Sequence, residues 1–220
     1  MKFKSLAAAL VLGAAVALPA MADVITFEDA PPSLGDAVFT VGAYRFESDL
    51  TGFSGIDNSS AFVFANAPAN AQGNFLFMLN NDGMVMSRTD GAAFRLTGLD
   101  TSFIAPLGGL GANLLAGELS VIAELDGGGL GFDTLVFDAS DANGNFNFAS
   151  WDLGSLNGAA VRAVGFFACV YQSNGSCSFS ALDLPAQFAL DNIRIPEPNG
   201  AALALLALGL AAAARRRRAA

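Results

Sequence analysis

Along the middle of the chain, hydrophobic residues recur at every second position. Phe62-x-Phe64, Phe75-x-Phe77-x-Leu79 and Phe146-x-Phe148 are the clearest cases. A period of two sends successive side chains to opposite faces of an extended strand, so each run predicts a strand with one side on a core and the other in water. Such runs cover 24–27, 38–46, 61–64, 75–79, 93–96, 118–125, 132–137, 146–148, 161–170, 176–179 and 188–195. No stretch between 23 and 195 holds a helical period flanked by caps, and Gly108-Gly109, Gly127-Gly128-Gly129 and Gly144 punctuate the runs as turns. The pattern predicts an all-β domain, a jelly-roll-like antiparallel β-sandwich, with a closed barrel as the alternative. An outer-membrane barrel fits poorly, because the runs are short and uneven and their apolar faces are as dense in phenylalanine as a packed core.

Both ends break the alternation. Residues 1–22 start with Lys2 and Lys4, run apolar from Leu6 to Leu18 and close with Ala20-Met21-Ala22. A positive start, a short apolar stretch and a small-x-small exit make a secretory signal peptide, cut by signal peptidase before Asp23. A retained membrane helix would need ~20 apolar residues. At the other end, Pro196-Glu197-Pro198 stops the last strand, since proline cannot continue a ladder. Asn199-Gly200 follows, then 201–214 contains only Ala, Leu and Gly, and Arg215, Arg216, Arg217 and Arg218 come just before the end. As a helix that stretch reaches about 21 Å against a hydrocarbon core of ~30 Å, so snorkelling arginines would have to make up the length. Positive charge stays on the cytoplasmic side, which puts the β-domain outside. A helix this short suits brief retention and removal better than permanent anchoring. The expected organisation is a signal peptide over 1–22, a β-sandwich domain over 23–195 and a sorting or anchor tail over 196–220.

Charge and composition narrow the function. The span 23–195 carries nineteen acids against five arginines, a net charge of −14, and no lysine. Such a surface repels phosphate backbones, which argues against nucleic acid as a partner. The chain has no histidine, which removes Ser-His-Asp and Cys-His nucleophiles and His-based zinc sites. Paired carboxylates could still cleave a glycosidic bond, with Glu118, Glu124 and Asp126 as the nearest candidates, but their spacing is not that of a sandwich-fold glycosidase. The expectation is a non-enzyme. Cys169 and Cys177 flank an Asn-Gly turn and, in an exported protein, read as a disulfide closing a hairpin; the alternative of a metal pair lacks further ligands. Asp141-x-Asn143-x-Asn145 resembles the start of a calcium loop, but Phe146 stands where such a loop needs glycine, so it reads as an Asx-rich turn. Trp151, Tyr44 and Tyr171 are the aromatic residues that could stack on sugar rings of an exopolysaccharide, although most aromatic residues here build core.

Pro-Glu-Pro, a short apolar helix and a terminal arginine cluster, in that order behind a signal peptide, resemble the PEP-CTERM sorting signal of Gram-negative bacteria. The resemblance implies recognition by an exosortase, a membrane cysteine peptidase, with Pro196, Glu197 and Pro198 as the recognition motif and Arg215–Arg218 as the cytoplasmic stop. It implies an inner-membrane-tethered intermediate and then a place at the cell surface or in the extracellular matrix. The stretch Gln187-Phe188-Ala189-Leu190-Asp191 resembles the Gln-Phe-x-x-Asp ending of one PEP-CTERM subgroup. With Ile25-Thr26-Phe27-Glu28-Asp29 it also resembles the last and first strands of MAM-like jelly-roll domains. In those domains the corresponding acids bind a cation, so Glu28, Asp29 and Asp191 are the candidates for a structural calcium. The competing reading has Asp191 accepting hydrogen bonds from backbone amides.

Overall fold

The computed structural model describes residues 23–49, 52–178 and 185–196; the signal segment and the tail beyond Pro196 lie outside the described residues. Val24–Ile195 forms one compact unit. In chain order its strands are β1 (Asp23–Ile25), β2 (Ser33–Leu34), β3 (Val38–Val41), β4 (Tyr44–Ser48), β5 (Phe53–Asn58), β6 (Asn74–Leu79), β7 (Met84–Arg88) and β8 (Phe94–Arg95). They continue with β9 (Gly98–Phe103), β10 (Gly117–Leu125), β11 (Leu130–Val136), β12 (Ala149–Asp152), β13 (Ala160–Tyr171), β14 (Cys177–Ser178) and β15 (Phe188–Ile195). No helix occurs among the described residues.

The strands form two antiparallel sheets. One runs β12-β9-β15-β6-β5-β2, with β1 also on β15; the other runs β11-β10-β13-β7-β4-β3, with β8 and β14 also on β13. Leu76, Met78, Leu99, Phe103, Phe188 and Leu190 from the first sheet meet Phe46, Met84, Met86, Val121 and Phe166 from the second in one buried cluster. Period-two alternation explains why: in β10 the residues Leu119, Val121 and Ala123 are buried while Ser120, Ile122 and Glu124 between them are not. The fold is the expected sandwich, with its core between the sheets.

A second cluster lies on the far side of the first sheet. Phe75, Phe77 and Leu79 of β6 pack there with Phe62, Ile104 and Ala189, while Leu76 and Met78 face the inter-sheet core. Both faces of β6 are therefore buried, where the sequence pattern assigned one to water. The covering segments are 61–64 and 146–148, both expected to be strands and both found as loops. Their rings serve as a lid: Phe62 stands edge-on to Phe75 and Phe77, and Phe148 to Phe75. Asparagines do for these loops what a ladder would do for strands. Asn70 Nδ2 donates to the Phe148 carbonyl at 3.1 Å, the Phe148 amide donates back to Asn70 Oδ1 at 2.6 Å, and Asn66 Nδ2 donates to Asn145 Oδ1 at 2.8 Å.

The run 38–46 is a hairpin, not one strand. Val41 pairs with Tyr44, so Gly42 and Ala43 make a two-residue turn, and Gly42 has φ of 57°, a conformation that glycine adopts without cost. The Cys169–Cys177 disulfide forms as expected, with a Cα–Cα separation of 5.4 Å. It closes the β13–β14 hairpin beside the Tyr171–Cys177 pair.

Candidate functional site

The last strand of the domain leads straight into the tail, and its anchoring is the most elaborate polar arrangement among the described residues. β15 is an internal strand, paired with β9 on one side and with β6 and β1 otherwise. The first and last strands of the domain are thus neighbours. Asp191 pairs with Asp100 and Arg194 with Gly98, so two residues of β15 oppose Leu99. This is a bulge, and Asn192 within it takes φ of 46°, a left-handed value that asparagine tolerates better than most residues. Asn192 Nδ2 donates to Asp100 Oδ2 at 2.8 Å.

Past the bulge, Arg194 reaches across β9 to β12. Its Nη1 contacts Asp100 Oδ1 at 3.1 Å and Ser150 Oγ at 2.8 Å, and its Nη2 contacts Asp152 Oδ1 at 3.1 Å and the Trp151 carbonyl. The crossing is open because position 98 is glycine: a Cβ there would stand 2.1 Å from Arg194 Nη2. The fork geometry of guanidinium suits this multiple recognition. The Asp152 side chain is 86% exposed and adds little; the half-buried Asp100 pair holds the strand more firmly. The Arg194 carbonyl accepts from Thr97 N at 3.0 Å and Thr97 Oγ1 at 3.3 Å. Ile193 and Ile195 are buried on the core side.

Asp191 is electrostatically uncomfortable. Burial pushes its carboxyl up to about 6; the Asn192 amide at 2.7 Å opposes that, and the negative charges of Glu28 and Asp100 add to it. The backbone-amide role expected for Asp191 is therefore present. Of the three calcium candidates, Glu28 and Asp191 lie close enough to repel, and Asp29 is exposed. The carboxylate oxygens of Glu28, Asp29 and Asp191 do not gather within 4.8 Å of one another. Glu28 instead accepts from the Asn74 amide at 3.3 Å, and Asn74 Nδ2 donates to the carbonyls of Phe27, Glu28 and Ala30. The one such trio among the described residues is Glu118, Cys169 and Cys177, whose sulfurs are already bonded to each other.

A second acid that the sequence did not single out is Asp82, 2% exposed in the β6–β7 turn. Ser48 Oγ donates to its oxygens at 2.9 and 2.8 Å and the Gly83 amide at 3.1 Å. Burial raises its pKa, and a hydrogen bond with Asp49 raises it further. Nothing in Asn80-Asn81-Asp82-Gly83 distinguishes this carboxyl from an ordinary turn aspartate in sequence.

Both groups bind a proton more tightly folded than unfolded, so each contributes stability that is fully present below about pH 4 and declines as pH rises. For Asp191 the decline ends near pH 6. Asp191→Asn keeps an acceptor for the Asn192 amide and removes the charge. It is expected to raise the melting midpoint near neutral pH and to make the profile between about pH 4 and 6 shallower, with Asp82 keeping its own slope of the same sign. Melting curves across pH check this; a wild-type-to-variant difference that is constant with pH would contradict it.

The other sequence candidates are dispersed. Tyr44 is buried, edge-on to Phe94, with Arg88 5.8 Å from its ring centre. Tyr171 ends β13 and donates to Glu118 Oε2 at 3.2 Å. Register places Tyr44 opposite Arg88 and Ser87 opposite Ala163, so Tyr171 lies about nine residues, or roughly 30 Å, further along the sheet. Trp151 is half-buried on β12 of the other sheet, its Nε1 buried without a partner. Tyr44 lies inside the inter-sheet core and Trp151 packs against that core from the other sheet, so the two do not form an exposed platform with Tyr171. Glu118 and Glu124 are six residues apart on β10, about 20 Å, and Asp126 is paired with Arg162 at 2.8 Å. Asp141 Oδ1 accepts from the amides of Asn143 and Asn145 at 2.8 and 2.9 Å, the Asx turn expected there. Pro196 is half-buried; Glu197, Pro198 and Arg215–Arg218 lie outside the described residues.

Residues 194–218 match the PEP-CTERM protein-sorting motif. The chain carries a PEP-CTERM sorting signal. The match begins at Arg194, so the PEP-CTERM segment overlaps the final two residues of β15. Such a signal marks a protein exported and sorted by an exosortase, a membrane protein, to the cell surface. No curated protein matches the chain. Among solved structures, an arabinose-bound α-L-arabinofuranosidase is 11% identical over 80% of this chain and 26% of its own, with a TM-score of 0.39. A two-domain protein of unknown function from Bacteroides fragilis is 13% identical over 76% of this chain and 47% of its own, with a TM-score of 0.34. Tailspike protein 4 of bacteriophage CBA120 is 13% identical over 78% of this chain and 20% of its own, with a TM-score of 0.30. The chain thus spans less than half the length of each.

Proposed function

We propose that this is a non-enzymatic surface or extracellular-matrix protein, exported by its signal peptide, tethered in the inner membrane through 201–214 and then processed by an exosortase. The observation that carries the reading is the sorting motif at 194–218, joined directly to the β-sandwich. A disulfide-closed hairpin and an acidic, lysine-free domain suit persistence outside the cell. The separation of Glu118 from Glu124, and the engagement of Asp126 by Arg162, support a role without catalysis. A carbohydrate-binding module for exopolysaccharide, the other expectation, would need a surface different from Trp151, Tyr44 and Tyr171.

Deleting the host exosortase tests the proposal. The expected result is loss of the mature form from outside the cell and a longer precursor in the inner membrane. Unchanged delivery of a product of unchanged size would overturn it.

A further inference from the structure

The outer face of the second sheet carries an apolar stripe that the core does not use. Three of the four residues that β11 turns to that face are large and apolar: Leu130 is 61% exposed, Phe132 58% and Val136 38%. Single exposed apolar side chains are ordinary, but a row of them along one strand marks a surface that meets something. Register extends the row inward. Phe132 pairs with Ile122 of β10 and Ile122 with Gly165 of β13, so the three positions share a face. Phe167, two residues further on, is half-buried on the same face. A Cβ on Gly165 would stand 2.6 Å from its ring and one on Gly83 2.4 Å. Two absent side chains thus let the ring lie down against the sheet backbone. Strands sit about 4.8 Å apart and residues about 3.3 Å apart along them, so the Cα atoms of Phe132 and Phe167 are roughly 12 Å apart. Phe167 leans back over Gly165, into the row of Phe132, which brings the rings to a spacing that one disaccharide unit bridges.

Charge around the rings selects the occupant. Ser120 pairs with Thr134 on one side and Phe167 on the other, which sets two hydroxyls beside the aromatic residues. Glu118 and Glu124 stand toward the two ends of the patch, about 20 Å apart. Arg45 and Arg162, on β4 and β13, are engaged by Glu47 and Asp126, both at 2.8 Å. The face therefore presents acceptor oxygens and committed cations, which repels anionic polymers and suits the hydroxyl donors of uncharged sugars. A pyranose ring also offers a flat face of C–H groups that packs on phenylalanine. Addition of a protein strand is the poorer fit. Ser155 Oγ donates to the Phe132 carbonyl and so covers the β11 edge where a visiting strand would bond.

We propose that this face, centred on Phe132 and Phe167, binds a neutral polysaccharide chain laid across β11, β10 and β13, with Glu118, Ser120 and Thr134 hydrogen-bonded to its hydroxyls. The inference rests on the reading above only in placing the domain outside the cell, where such polymers are met.

The test is electrophoresis of the mature protein from its native host in native gels containing a neutral β-glucan, a neutral galactomannan or alginate. The expected result is retardation by at least one neutral polymer and none by alginate. Phe132→Ala and Phe167→Ala should each weaken that retardation about tenfold. Because its ring is more than half exposed, Phe132→Ala should keep the wild-type midpoint in urea, which separates lost binding from lost folding. Free migration in both neutral polymers would overturn the inference, as would retardation by alginate alone or retardation that both variants retain. A dimer that Phe132→Ala dissociates would also overturn it, by assigning the face to a second copy of the chain. None of these outcomes bears on exosortase processing, which the deletion above decides.

Discussion

Phe103→Ala is expected to cost about 3–5 kcal/mol of folding stability, the range for emptying a phenylalanine site in a core. Phe103 is 0% exposed at the end of β9 and pairs with Phe188 of β15. Its ring meets Phe137 at 5.7 Å and Phe146 at 5.0 Å, both edge-on, a geometry that adds to simple burial. Removing it opens a hole bounded by two strands and the loop that carries Phe146, none of which can collapse independently. A domain is stable by about 5–15 kcal/mol in all, so the variant would retain a modest part of that. Urea unfolding measures the difference, and a loss below about 1 kcal/mol would mean that the ring is not packed as described.

Breaking the disulfide is expected to have the next largest effect, about 2–3 kcal/mol for so short a closed loop. The bridge limits the unfolded chain, and in the folded state it keeps β14 against β13, a pairing of only two residue pairs. Cys169 is buried opposite Glu118 of β10, so Cys169→Ala/Cys177→Ala separates the loss of the link from the burial of a polar replacement. The midpoint in urea should fall for that variant, and by a similar amount when the wild type is reduced. An unchanged midpoint in both would show that the link contributes nothing.

The sandwich was legible because its core strands obey period two, and Leu119-x-Val121-x-Ala123 is the plainest example. The same signal misled at 61–64 and 146–148, where Phe62 and Phe148 stand edge-on over β6, Phe146 enters the inter-sheet core, and asparagine side chains replace the ladder. Alternation reports that a segment has two sides; it does not say whether a strand is available to pair with it. Conversely β5, β7, β9 and β12 carry glycines and polar residues that mask their strand character. Buried Thr101 is tolerated because its hydroxyl donates to the Ala189 carbonyl at 2.9 Å, a partner 88 residues away in the chain. Local sequence holds no trace of such a partner. The disulfide and the Asx turn at Asp141 were readable because both are local. The Arg194 crossing was not, since it depends on a glycine at 98 and acids at 100 and 152 that only the sheet brings together.

The place of β15 also fixes an order of events. The last strand among the described residues sits inside a sheet, between strands made much earlier, and its contacts with β9, β6 and β1 span most of the domain's length. Non-local pairings of this kind form slowly, because a long loop must close before they repay it. In a chain that becomes available from its N-terminus, the first sheet stays split until residue 195 is present, so the strand that adjoins the sorting motif is the one that completes the domain.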